Sequence, residues 1–219
     1  MITTKILDDK NKKIFENNLL AKLQASKEFD SKRVINSPRA VGDIVQEIIS
    51  EEIENCFPPN LISEYSSAFA RRAMADVAFK DVDDNYFITD IKTHNKSTNF
   101  NMPNLTSVER LARFYEDDKN FFTVLLIEYE IKKDILVFTK VSFNPIEFFK
   151  WDCLTIGALG WGQIQIANAN YINFKKTTRK AWMLEFCEVM EIFYPKEIDK
   201  IAKRIERFEK VKNFWLSKS

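Results

Sequence analysis

Residues 76–93 read DVAFKDVDDNYFITDIKT. Asp76–Lys80 and Tyr86–Thr93 have the apolar, β-branched and aromatic content of strands, and the DVDDN between them is dense in turn formers. The segment therefore predicts a hairpin. Side chains alternate along a strand, so Tyr86, Ile88, Asp90 and Lys92 share one face and Phe87, Thr89 and Ile91 the other. Pairing through DVDDN brings Asp76 near the Asp90 end of its neighbour, with Lys92 roughly 7 Å further along the strand. Two carboxylates that close repel unless a cation lies between them. A divalent ion with oxygen ligands, most simply Mg²⁺, answers that need. The Asp/Glu-x-Lys tripeptide alone specifies nothing, since it recurs at Asp8, Asp30, Asp117 and Glu130. Only Asp90-Ile91-Lys92 lies on an apolar strand directly after another strand that opens with Asp. By geometry alone, an ion pair at a sheet edge accounts for the pattern equally well.

The flanking sequence predicts an α/β fold. Residues 11–24 and 39–54 carry apolar residues at helical spacing, with Pro58-Pro59 as a stop. A short helix is expected over 60–72. Phe121–Glu130 and Asp134–Ser142 form a second hairpin, and between the two pairs lies a helix with Thr106 or Ser107 as its N-cap. Gln163–Phe174 alternates early and predicts a strand. Thr178 caps a helix through about Phe193, and Pro195 opens a last one whose charges read as a solvated face. The expectation is a single domain over 1–219, with a mixed sheet of about five strands flanked by helices. Its core spans about 39–142, its C-terminal part spans 155–216, and helix 11–24 is available for dimerisation.

Composition bounds the rest. The chain has 219 residues, 45% of them hydrophobic and 30% charged, as in a soluble globular protein. No apolar stretch is long enough to span a bilayer, and the first residues lack the apolar core of a secretory signal. Cys56, Cys153 and Cys187 form neither a zinc spacing nor a disulfide framework, which fits the cytoplasm. A net charge of +1 excludes a chain that is basic throughout but not a local basic groove. Three of the four glycines, Gly157, Gly160 and Gly162, crowd one short stretch beside Trp161.

Ala75-Asp76, a strand, Asp90-Ile91-Lys92-Thr93, and a polar loop with Pro103-Asn104 before a helix together resemble the PD-(D/E)XK nuclease superfamily. More narrowly, the stretch from Ala75 to Ala112 resembles the type II restriction endonucleases of the HincII and EcoRV branch. Gln163-Ile164-Gln165 and Thr178-Arg179-x-x-Trp182 extend the likeness, which covers about two-thirds of the chain. Ala75 stands where the superfamily name has proline, a position that binds no metal. The resemblance implies a restriction-endonuclease-like core in which Asp76, Asp90 and the Ile91 carbonyl bind Mg²⁺. Lys92 would orient the attacking water and offset phosphate charge, leaving a 5′-phosphate and a 3′-hydroxyl. An acid from an early helix is often added, and Glu47 falls near that position, with Gln46 and Asp43 beside it.

Two segments are candidates for reading DNA. The loop HNKSTNFNMPN is rich in amides, which recognise base edges, though asparagines also suit ordinary turns. The resemblance points to Asn101 and Asn104 in the minor groove, with Met102 as a wedge. In TIGALGWGQIQIANAN, Ala158, Leu159, Gly160 and Trp161 precede Gln163 and Gln165, whose spacing puts both on one face; the alternative is a turn around a buried tryptophan. Arg71, Arg72, Lys96, Arg110 and Arg113 are the candidate phosphate contacts, with His94 as a further one, and Thr93 is a candidate DNA-binding residue. The implied activity is a homodimeric enzyme cutting double-stranded DNA within a short palindrome, with blunt ends. A cognate DNA methyltransferase is expected genetically rather than as a bound partner. The alternatives are a structure-specific or repair nuclease on the same core, or a non-catalytic DNA-binding module.

Overall fold

The computed structural model describes residues 4–65, 76–158 and 160–218, without the side chains of Lys32 and Arg33. They fall into two compact units, Met1–Thr177 and Thr178–Ser219. The first contains α1 (Asp9–Ala25), α2 (Lys32–Ile35), α3 (Pro38–Cys56), β1 (Ile62–Tyr65), β2 (Val77–Asp81) and β3 (Tyr86–Asn95). It continues with β4 (Asn104–Ser107), α4 (Val108–Phe114), β5 (Asn120–Lys132), β6 (Ile135–Pro145), β7 (Leu154–Gly157) and β8 (Gln163–Ile166). The second unit is the single helix α5 (Arg179–Leu216).

Five strands make one mixed sheet in the order β1-β2-β3-β5-β6, and β4-β8-β7 make a smaller one. The fold is α/β, as expected, with β3 and β5 parallel and the other main-sheet pairs antiparallel. The β2–β3 hairpin has a local cause. Asp81 is buried, and its carboxylate accepts from the Asp83 and Asn85 backbone N–H groups and from the Asn85 amide. That side chain closes the DVDDN turn, and Asp84 takes the left-handed conformation there.

One face of the main sheet carries the larger core. Phe15, Leu19 and Leu23 of α1 and Val41, Val45, Ile49 and Ile53 of α3 pack there against the sheet. Phe79, Phe87 and Phe121, on three adjacent strands, stack with centroids 5.0 and 4.9 Å apart. Such pairs add about 0.5–1.5 kcal/mol each beyond the area they bury. At the open edge of β6, the Phe143 N–H donates to Glu16 of α1 at 2.8 Å, so a side chain closes what would otherwise invite another strand.

Three expectations fail. Residues 62–65 are not helical: they form β1, which pairs with β2 after Asn60 turns the chain at positive φ, and the Tyr65 hydroxyl donates to the Ser50 carbonyl. Residues 66–72 of that stretch, with Arg71 and Arg72, lie outside the described residues, as do Ala75 and Leu159. The strand expected over 163–174 stops at Ile166, where the Ala167 N–H turns to the Cys153 carbonyl. The two C-terminal helices are one helix of 38 residues with Pro195 inside it. Proline's fixed φ is compatible with a helix, and it forfeits one backbone hydrogen bond there. Among the described residues, no helix is long and apolar enough to cross a membrane.

Candidate functional site

Antiparallel pairing of Val77 with Thr89 continues to set Asp76 against Asp90, and the Asp76 N–H donates to the Thr89 carbonyl at 3.0 Å. Asp76 is held from two sides. Its Oδ2 accepts from the Ile91 N–H at 2.7 Å and its Oδ1 from Gln46 Nε2 of α3 at 3.2 Å. Asp90 is 5% exposed, and the Lys92 ammonium covers its carboxylate at 2.8 Å from Oδ1 and 2.7 Å from Oδ2. Only the Oδ1 contact has hydrogen-bond geometry, so the buried Oδ2 keeps an unfilled acceptor site. Asp76, Asp90, Ile91 and Lys92 thus converge as the hairpin predicted.

The electrostatics follow from this packing. Burial pushes the Asp90 carboxyl up from 3.8 to about 7; Lys92 opposes the rise, and the neighbouring Asp76 charge adds to it. Two carboxylates and one ammonium leave the cluster one negative charge in excess when all are ionised. The donor set fits a hard cation: carboxylate oxygens, one of them buried with unused capacity, near a backbone that supplies carbonyls. Among the described residues no three His, Cys, Asp or Glu side chains are grouped to hold a metal.

The early-helix acid is a correction. Gln46 reaches Asp76, whereas Glu47 and Asp43 are exposed and make no hydrogen bond or ion pair with the described residues. The buried stripe of α3 explains it. At about 100° per residue, Val41, Val45, Ile48 and Ile49 centre the buried face, Gln46 falls on its flank and Glu47 opposite. Thr93 faces α3. It lies on the face of β3 opposite Lys92, and its Oγ1 is 3.5 Å from where a Cβ on Gly42 of α3 would stand.

His94 is a second correction. It is buried, and its Nε2 pairs with Asn170 Oδ1 at 2.9 Å. Asn170 Nδ2 donates to the Thr98 and Asn99 carbonyls, which fixes its oxygen as the acceptor and the proton on His94 Nε2. His94 therefore braces the 95–104 loop rather than touching phosphate. Asn170 was missed by sequence reasoning; it ends the TIGALGWGQIQIANAN segment, five residues past Gln165, in a stretch that read as strand. Lys96 is exposed but pairs with Glu130 at 3.4 Å.

The two candidate DNA-reading segments meet on the small sheet. Asn104 of β4 lies opposite Gln165 of β8, and the Gln165 amide donates to the Asn104 side-chain oxygen. Gln163 and Gln165 are half-exposed while Ile164 and Ile166 are buried, so the glutamines do share a face. Gly157 makes room for one of them: a Cβ there would stand 2.5 Å from Gln165 Oε1. Asn101 is half-buried, its carbonyl accepting from Ala169. Met102 is 42% exposed, and Phe100, unremarked in the sequence, 60%. Ala158 and Gly160 are exposed, and Trp161 is 77% exposed, which removes the buried-tryptophan alternative. Beside these residues lies a groove of about 550 Å³ lined by Ser107, Arg110, Arg113, Trp161 and Gln163. Its floor depends on Gly162, at φ +118°, where a Cβ would meet Val108 at 3.1 Å.

No protein-family model matches this chain, and no curated protein matches it.

Proposed function

We propose that this chain is a Mg²⁺-dependent endonuclease with a restriction-endonuclease-like core, acting on double-stranded DNA as a homodimer within a short palindrome. The observation that carries the reading is the convergence of Asp76, buried Asp90 and Lys92 at one hairpin, with Asp90 Oδ2 left able to accept a ligand.

Asp76 and Asp90, with the Ile91 carbonyl, would hold the ion. When bound, Mg²⁺ polarises a phosphoryl oxygen and acidifies water. Asp76 enters the reaction already oriented, because Gln46 and the Ile91 N–H fix both of its oxygens. Lys92, whose ammonium lies against Asp90, would present it to the scissile phosphate and the attacking water. Water adds to phosphorus in line, the P–O3′ bond breaks, and the products carry a 5′-phosphate and a 3′-hydroxyl.

Arg110 and Arg113 beside the groove supply phosphate contacts, which position without specifying sequence. Asn104, Gln163 and Gln165 present amides on one polar face, the chemistry that reads base edges. Exposed Phe100, Met102 and Trp161 offer apolar surface for unstacked bases.

The test is digestion of a mapped plasmid with Mg²⁺, followed by sequencing of the ends. Discrete fragments with one sequence at each blunt terminus support the reading. Cutting only at junctions or lesions moves the activity to a structure-specific nuclease. Binding without cutting leaves a DNA-binding module.

A further inference from the structure

The second unit carries an apolar stripe that the proposed chemistry does not use. Along α5, Tyr194, Ile198, Ile201, Ile205, Phe208 and Trp215 are all exposed. Their spacings alternate four and three, with Lys212 filling the one step between Phe208 and Trp215. This is a 3.5-residue repeat, the narrow seam of a coiled coil rather than the wider face of a helix lying on a globular core. Ile198, Ile205 and Lys212 occupy the a positions; Tyr194, Ile201, Phe208 and Trp215 occupy d. Part of the seam forms a shallow groove of about 410 Å³ lined by Ile201, Arg204, Ile205, Phe208, Glu209 and Lys212.

We infer that this stripe is a self-association surface, closed by the same helix of a second copy in a parallel, in-register coiled coil. Area supports it. Ile198 is 65% exposed, Phe208 69% and Trp215 67%. Covering the whole stripe on two chains removes on the order of 1,500 Å² from water, within the range of specific, stable interfaces.

Flanking residues choose the occupant and the direction. Positions g and e border the seam, and in a parallel pair each g residue meets the e residue five places on in the other chain. Arg204 at g then meets Glu209 at e of the second copy, an opposite-charge pair made twice. Val211 at g meets Leu216 at e, which extends the apolar seam and accounts for the exposure of both. An antiparallel pair centred between Ile201 and Ile205 sets Arg204 against Arg204 and Val211 against Glu197, so it loses both matches. Lys212 at an a position lowers stability and penalises slipped registers, the usual effect of one polar residue in a seam.

This pairing supplies the two-fold symmetry a palindrome needs, but it is read by mass and so stands or falls apart from DNA cleavage. The experiment is light scattering and sedimentation of the full chain between about 1 and 100 μM, with helix content checked by circular dichroism. The wild type is expected to be dimeric. Ile205→Lys with Phe208→Lys should weaken self-association at least tenfold while helix content persists. Arg204→Glu alone and Glu209→Arg alone should each weaken it, and the double exchange should restore it. A monomeric wild type, or a dimer indifferent to the paired lysines, overturns the inference. A monomer that instead pellets with anionic vesicles assigns the stripe to a membrane surface and overturns it too. Failure of the double exchange to restore the dimer overturns the parallel arrangement.

Discussion

Replacing Asp90 with asparagine should stabilise the metal-free protein in a pH-dependent way. Burial raises the Asp90 carboxyl from 3.8 to about 7. Between those values the folded chain holds a proton that the unfolded chain has released, so stability falls as pH rises through that window. Above pH 7 the full cost of the buried charge is present, about 4 kcal/mol for a rise of this size. For a chain of this length that corresponds to a melting shift on the order of 10 °C. Asp90→Asn removes the charge and leaves an oxygen for Lys92. Thermal melts in a chelating buffer should show wild type and variant nearly matched at pH 4, with the variant progressively more stable up to pH 8. Adding Mg²⁺ at pH 8 should raise the wild type toward the variant and move the variant little. A gap that does not widen with pH, or a variant that melts below the wild type at pH 8, refutes the reasoning that burial dominates at this carboxylate.

Lys92→Ala should lower cleavage by about 10²–10³, the range for one preorganised donor aimed at developing charge, while gel shifts in Ca²⁺ show DNA binding intact. Gly157→Ala should displace the Gln165 amide, whose oxygen lies 2.5 Å from the added Cβ, with little change in melting temperature because the end of a flexible side chain can move. Competition between cognate and altered sites should then show about 1–3 kcal/mol of lost discrimination. Arg110→Ala should weaken binding to all sequences alike and reduce the slope of log affinity against log salt by about 1, measured by fluorescence anisotropy.

The hairpin and its carboxylates were legible because their cause is local. Alternation fixes which residues share a face, and DVDDN carries in Asp81 and Asn85 the groups that close the turn. The α3 register was not legible: Ile44, Val45, Ile48 and Ile49 leave Gln46 and Glu47 equally far from the apolar face, and only the contact with Asp76 shows which of them reaches the strand. Strands β1, β4 and β7 were not legible. Each has four residues, too few to show a period, and each exists through partners distant in the chain: β1 on β2, and β4 and β7 on either side of β8. For the same reason Asn104 and Gln165 read as members of two separate loops when they are cross-strand neighbours. His94 misled because a lone histidine two residues past a lysine reads as exposed chemistry, whereas β3 continues through Asn95 and buries it against Asn170. Pro195 misled because a proline is a stronger stop in isolation than in a helix long enough to absorb one lost bond.

The pairing of Asp76 and Asp90 around one divalent ion is best tested without DNA, by titrating Mn²⁺ into the protein and counting bound ions by electron paramagnetic resonance. The account predicts a saturable site in the wild type that disappears in Asp76→Ala and in Asp90→Ala but persists in Glu47→Ala. Equal Mn²⁺ binding by the wild type and both aspartate variants would contradict it.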